Sequence, residues 1–195
     1  MDKLIEILEK NNIHGFGCPG GTDKGTIHNY TSSYEKLLSP FVDENIRLLE
    51  IGVQYGGSSL LWHEYLPKAK MVLVDIHNQV HPSIFERMDK KRYDFYIGDA
   101  YKDEVVDLVK NTSPEGFDVI IDDGPHSLQS QIIFIQKYLP MLKKGGILII
   151  EDIQDFNSVE ILKQSTPQEY QDTIEVLDLR NIKNRYDDVL FIIRK

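Results

Sequence analysis

The sequence predicts an α/β fold built on a mostly parallel sheet with helices on both faces. Three observations carry that expectation. Short apolar runs alternate with stretches of helical periodicity from Ile46 to Ile150. The runs are mostly apolar on both faces, as strands covered on both sides are, and Met71 to Val74 is continuous. Each run also ends in acid: Glu50, Asp75, Asp99, Asp122 with Asp123, and Glu151 with Asp152. In open sheets of this kind ligands bind outside the carboxyl ends of the strands.

Ahead of the alternation, Leu4, Ile5, Ile7 and Leu8 among charged residues make a short amphipathic helix, and a glycine-rich loop from Gly15 to Gly25 breaks it. Thr22 to Tyr30 is polar and dense in hydrogen-bonding groups, and Tyr34, Leu37 and Leu38 share one face of a helix that stops before Pro40. Residues 1–40 read as a cap and 41–195 as the core of one domain, since no repeat, low-complexity tract or linker divides the chain. The core strands are Ile46 to Ile51, Met71 to Asp75, Tyr93 to Ile97, Phe117 to Ile121 and Ile147 to Ile150. Between them fall helices over Ser58 to Tyr65, Ile84 to Met88 after Pro82, and Val105 to Val109. A long helix spans Leu128 to Leu142 and is stopped by Lys144-Gly-Gly146, and a short one covers Val159 to Leu162. Thr173 to Leu179 and Val189 to Ile193, joined by the polar connector Asn181 to Asp188, read as a hairpin and hence as an antiparallel edge.

The formal net charge of −9 and the absence of a basic stripe disfavour nucleic acid and anionic membrane surfaces as partners. A single cysteine, Cys18, excludes a disulfide framework and fits a reducing compartment. No apolar run approaches the ~20 residues that span a bilayer. The opening Met-Asp-Lys-Leu-Ile-Glu reads as no signal peptide, so a cytoplasmic location is expected.

The first strand runs into Glu50-Ile-Gly-Val-Gln-Tyr-Gly-Gly-Ser58, a glycine turn that opens a helix. Such a turn removes Cβ atoms where a ligand approaches, and the helix start offers unpaired N–H groups. Asp75 follows about 20 residues later, where an acid reaches a ribose diol. Asp99 and Ala100 would lie beside a base ring. If the fourth and fifth strands are neighbours, their ends lie ~5 Å apart. Asp123, Glu151 and Asp152 then converge as hard-oxygen ligands for Mg²⁺ or a similar ion. His126, three residues after Asp123, is the candidate base. The competing structural role for His126 is to cap the long helix. His63 reads as a surface residue, His77 and His81 as lining either a pocket or only a loop, and His28 as a substrate contact in the cap.

Taken in order, these residues carry a family resemblance. The glycine turn resembles the first motif of class I S-adenosylmethionine-dependent methyltransferases. With Thr22-Asp-Lys-Gly-Thr, His28, Tyr30 and Tyr34, Asp122-Asp-Gly-x-His126, and Leu142-Lys-Lys-Gly-Gly to Ile150-Glu-Asp152, the chain resembles the metal-dependent sugar O-methyltransferases of the macrocin and mycinamicin type. That resemblance implies a Rossmann-like, seven-stranded sheet in the order 3-2-1-4-5-7-6 with the last strand antiparallel. It implies S-adenosylmethionine in a crevice formed by Glu50, Gly52, Val53, Gln54, Gly56, Ser58, Asp75, Ile76, Asp99, Ala100 and Asp122. It implies Mg²⁺ or Mn²⁺ on Asp123, Glu151 and Asp152, with His126 and Asp123 catalytic. Lys24, His28 and Tyr30 are expected on the acceptor, a sugar of a glycan or glycoconjugate. The chain is shorter than the macrolide enzymes, so their lids and oligomer contacts are not carried over, and a homo-oligomer stays open. The rivals are a catechol-type small-molecule O-methyltransferase and a non-catalytic cofactor-binding partner subunit.

Overall fold

The computed structural model describes residues 2–195. Seven strands form one sheet in the order β3-β2-β1-β4-β5-β7-β6. They are β1 (Arg47–Ile51), β2 (Lys70–Asp75), β3 (Tyr93–Ile97), β4 (Phe117–Asp122), β5 (Leu142–Ile150), β6 (Ile174–Asp178) and β7 (Val189–Arg194). The first five pair in parallel, and β7 runs antiparallel to both β5 and β6. The expected order and the reversed last strand are both present. The helices are α1 (Lys3–Lys10), α2 (Thr31–Leu38), α3 (Gly57–Tyr65), α4 (Pro82–Arg87), α5 (Asp103–Thr112), α6 (Leu128–Tyr138), α7 (Ser158–Ser165) and α8 (Arg180–Lys183).

Strict alternation of strand side chains gives the sheet two apolar layers. Leu48, Leu73, Val119 and Ile149 face α1, α2, α3 and α4; Leu49, Val72, Ile120 and Leu148 face α5, α6 and α7. The segment expected to be an added cap is part of the first layer, where Leu4, Leu8, Ile13, Tyr30 and Tyr34 are fully buried. Tyr34 packs on Trp62 with ring centroids 4.7 Å apart.

Three expectations need correction. The helix predicted over Leu128 to Leu142 ends at Tyr138, a 3₁₀ turn covers Leu139–Met141, and β5 already begins at Leu142. Lys144-Gly-Gly146 is therefore inside a strand: Gly145 (φ 81) lies where the register against β4 shifts, and its N–H pairs with the Lys195 carbonyl. The connector between the last two strands is not featureless, since it holds α8, and the first strand of that pair covers only Ile174–Asp178 after a 3₁₀ turn at Gln168–Thr173.

The third concerns His63, which is 8% exposed rather than on the surface. Its Nε2 accepts the Asp89 N–H at 3.0 Å, which requires the neutral ring. Burial, aided by the Arg92 charge, holds its pKa down at about 4. The unfolded chain takes up the proton near 6.5. Stability from this residue is therefore whole above pH 6.5 and is lost as pH falls towards 4. After discounting for screening around Arg92, the loss is about 1–2 kcal/mol. Denaturant curves at pH 7 and pH 5 should differ less in His63→Gln than in the native chain; an unaltered pH dependence would remove His63 from this role.

Candidate active site

A cavity of about 780 Å³ opens at the carboxyl ends of the parallel strands. Each strand end contributes to its wall: Gly52 and Gln54 after β1, Asp75 and Ile76 after β2, Asp99 and Ala100 after β3, Asp123 and His126 after β4, and Asp152 after β5. Phe16, Asp23 and His28 reach it from the N-terminal segment, and Arg185 and Asp187 from the loop before β7.

At the β2 end the Asp75 carboxylate is fixed by two backbone donors, Gln54 N–H at 2.7 Å and His77 N–H at 2.9 Å. Both oxygens retain a lone pair, which suits a pair of adjacent hydroxyls. Ile76, 58% exposed, and Ala100 supply apolar surface for a flat ring. Gln54 holds the turn in the left-handed region at φ 49.

Not every residue expected on a cofactor reaches the cavity. Glu50 is fully buried under α3, where Ser59 Oγ and Trp62 Nε1 donate to it, so it ties β1 to that helix. Val53 is core, Gly56 lies against Val80 and Ile84, and Ser58 is buried in the first turn of α3. Asp122 is buried too, accepting from Tyr101 Oη at 2.6 Å, and burial pushes its carboxyl up to about 7. Gly52 lines the cavity, but a Cβ there would lie 1.8 Å from the Asp123 carbonyl oxygen. Its φ of 87 and that contact make it a requirement of the fold as well as of ligand approach.

Asp123, Glu151 and Asp152 do converge, with the Lys24 ammonium among them. Lys24 is 1% exposed, with Nζ 2.7 Å from Asp123 Oδ2 and 2.7 Å from both Glu151 oxygens. Burial works against the charge, but Asp123 and Glu151 outweigh it and hold the lysine charged. Tyr34 donates to Glu151 at 2.5 Å, and Tyr30 to Asp152 Oδ1 at 2.5 Å. Lys24 and Tyr30, expected on the acceptor, are instead internal partners of the strand-end acids. Glu151, expected as a metal ligand, is taken up by Lys24 and Tyr34.

Asp123 Oδ1 and Asp152 Oδ2 are left to face His126. Its Nε2 lies 3.8 Å from the first and 3.7 Å from the second, beyond direct hydrogen bonding. One donor atom from each of Asp123, His126 and Asp152 lies within 4.8 Å of the other two. The two carboxylate oxygens at that spacing fit a divalent cation, with the imidazole nitrogen beside it rather than on it. His126 and Asp152 are both left-handed, at φ 56 and 55, backbone strain of the kind that collects at functional sites. The capping role for His126 is not what the structure shows: Ser127 is the N-cap of α6 and accepts from Ser130 N–H at 3.1 Å.

His28 is held differently. It is 4% exposed, with Nδ1 2.5 Å from Asp188 Oδ1 and Nε2 3.4 Å from Asp23. Burial opposes its charge, yet Asp23, Asp152 and Asp188 push its pKa up to about 9. It stands with Asp187 and Asp188 in a second group spaced for a cation, but an imidazolium carries no lone pair for a metal. Asp188 and Asp187, with Arg185 and Tyr101, are the residues sequence reasoning missed. Tyr101 has a local signal, two residues after Asp99; the others are legible only once the loop before β7 is placed.

An open sheet with a reversed last strand, a crevice over β1 and β2 and an acid cluster at β4 and β5 defines the Rossmann-like methyltransferase class. The family described as "Methyltransferase domain" matches residues 49–153, more than half of the chain, and the protein belongs to that family. The 8-demethyl-8-alpha-L-rhamnosyl tetracenomycin-C 2'-O-methyltransferase of Streptomyces olivaceus is 30% identical over 150 residues, covering 73% of this chain and 38% of that protein. The mycinamicin VI 2''-O-methyltransferase of Micromonospora griseorubida is 28% identical over 157 residues, covering 76% and 37%. The chain thus spans under two-fifths of the length of these relatives. Among solved structures, the MycE methyltransferase of the mycinamycin pathway, in complex with Mg, SAH and mycinamycin VI, aligns with a TM-score of 0.71 at 21% identity, over 100% of this chain and 53% of that one. An O-methyltransferase from Bacillus cereus in complex with SAH aligns at 0.65 and 15% identity, over 99% and 89%. At those identities the structures speak for the fold.

Proposed function

We propose that the protein is an S-adenosylmethionine-dependent, divalent-cation-dependent O-methyltransferase acting on a hydroxyl of a sugar in a glycan or glycoconjugate. One observation carries the reading: the unpaired oxygens of Asp123 and Asp152 face His126 Nε2 in the wall of the cavity whose other end holds Asp75. The curated relatives, both named as O-methyltransferases and the first for a rhamnosyl-bearing compound, support it. A catechol-type enzyme needs a flat apolar acceptor slot, whereas this acceptor end carries Asp23, His28, Gln154, Arg185 and Asp187. A non-catalytic subunit has no use for unpaired, strained donors.

In this reading Asp75 holds the ribose of the cofactor, and Ile76 and Ala100 flank its base. When bound, the cofactor would supply a sulfonium methyl group, with a C–O bond formed to the acceptor hydroxyl as the S–CH₃ bond breaks and its electron pair stays on sulfur. A divalent ion on Asp123 and Asp152 would lower the pKa of that hydroxyl. His126 takes its proton at Nε2. Tyr30 fixes the orientation of Asp152, and Lys24 that of Asp123, so both free oxygens point to one place.

The test is a screen of methyl glycosides and catechols with S-adenosylmethionine and Mg²⁺, read as S-adenosylhomocysteine formed. Turnover with glycosides is expected; turnover confined to catechols would overturn the sugar assignment. Asp75→Asn keeps an oxygen for the Gln54 N–H but loses the charge. Cofactor affinity by calorimetry should fall about 10-fold or more, the scale of a charged hydrogen bond. Unchanged affinity would place the ribose elsewhere.

A further inference from the structure

The loop before β7 carries a pair that the chemistry above leaves unused. Arg185 Nη2 donates to Asp187 Oδ2 at 2.9 Å, and both residues line the cavity. Each also keeps a buried polar atom with no partner: Arg185 Nε and Asp187 Oδ1. Asp187 is 4% exposed. An unmet buried donor or acceptor costs about 1–3 kcal/mol, so two on one ion pair are tolerated where something else is meant to meet them. The loop is also well anchored. The Asp187 carbonyl accepts from Tyr30 Oη at 3.3 Å, Asp188 holds His28, and Tyr186 Oη donates to Gln154 two residues beyond Asp152. The pair is thereby tied to the same residues that orient the catalytic acids.

We infer that Arg185 and Asp187 form the acceptor subsite that reads hydroxyls of the sugar other than the one methylated. One donor and one acceptor, side by side on a rigid pair, match two neighbouring hydroxyls: one O–H donates to Asp187 while the oxygen of the next accepts from Arg185. An aromatic ring offers the pair nothing of the kind beyond its own reacting hydroxyls. The subsite therefore selects a polyhydroxylated ring. The inference rests on the sugar reading and specifies what that site recognises.

The experiment uses a methyl glycoside that the native chain methylates, together with its monodeoxy derivatives. For the native chain, removal of one particular hydroxyl should raise KM about 10-fold or more. In Arg185→Met and Asp187→Asn, KM for the parent glycoside should rise by a similar factor, and the added penalty for that deoxy derivative should disappear. S-adenosylhomocysteine binding by calorimetry checks that each variant is folded. Where Asp187→Asn fails that check, Arg185→Lys, which keeps the charge but not the fork, carries the test. If every deoxy derivative is penalised as much in the folded variants as in the native chain, the subsite is elsewhere while the sugar reading stands. If the native chain methylates no glycoside, both fall together.

Discussion

Replacing His126 with Ala is expected to cut turnover by a factor of about 10²–10⁴, the usual cost of losing a general base. The expectation follows from position: Nε2 is 3.8 Å from Asp123 and 3.7 Å from Asp152, at the cavity wall, and among the described residues it makes no hydrogen bond that a structural role would require. Stability should change little, because Ser127 and not His126 caps α6. His126→Asn makes the sharper comparison. Asn tolerates the left-handed backbone seen at φ 56, so the fold loses nothing, yet the amide cannot take a proton. A variant with native melting temperature and cofactor affinity but turnover down by the same factor is the predicted outcome. Turnover per folded molecule close to native in both variants would put the base elsewhere.

Removing the divalent ion should have an effect at least as large. EDTA is expected to abolish turnover, and Mg²⁺ or Mn²⁺ to restore it. Mn²⁺ titrated into the resting protein and followed by electron paramagnetic resonance should bind one site. Asp152→Asn should weaken that site, because it removes one of the two carboxylates whose oxygens are free; about 10-fold or more is expected for a lost anionic ligand. Glu151→Gln is a contrasting case. Lys24 and Tyr34 already engage that carboxylate, so its loss should appear first as lower stability of the buried Lys24 pair. Breaking such a pair from one side costs about 3–5 kcal/mol. Full turnover after exhaustive chelation would exclude the cation mechanism.

The sheet was legible because its information is local. Runs that are largely apolar on both faces give the parallel strands, and the acids at their ends mark the binding edge. The errors lie where one local signal serves two structures. Lys144-Gly-Gly146 has the composition of a helix stop, but the glycines instead accommodate a register shift beside the chain end. Glu50 and Asp75 both stand near strand ends, yet Glu50 turns under α3 to Trp62 while Asp75 reaches the cavity, a difference set by height along the strand, since Glu50 is level with Leu73, two residues below Asp75. Gly52 reads as room for a ligand, but the Asp123 carbonyl also occupies the place of its missing Cβ, so the fold needs the glycine too. Lys24 was the least legible. The resemblance puts this loop lysine on the acceptor, and only the packing of the N-terminal segment onto the sheet carries it across 99 residues of sequence to Asp123. The Arg185–Asp187 pair was hidden for the same reason, since nothing in the connector announces that it folds back over the cavity.

The most direct test of the central claim follows the methyl group itself. The protein is incubated with S-adenosylmethionine labelled with ¹³C in its methyl group, Mg²⁺ and a methyl glycoside, and the product is read by NMR, with a chelated sample alongside. The account predicts a labelled methyl ether on a ring carbon of the sugar in the presence of Mg²⁺ and none in its absence. Label that reaches no sugar oxygen, or reaches one equally well in the chelated sample, would contradict it.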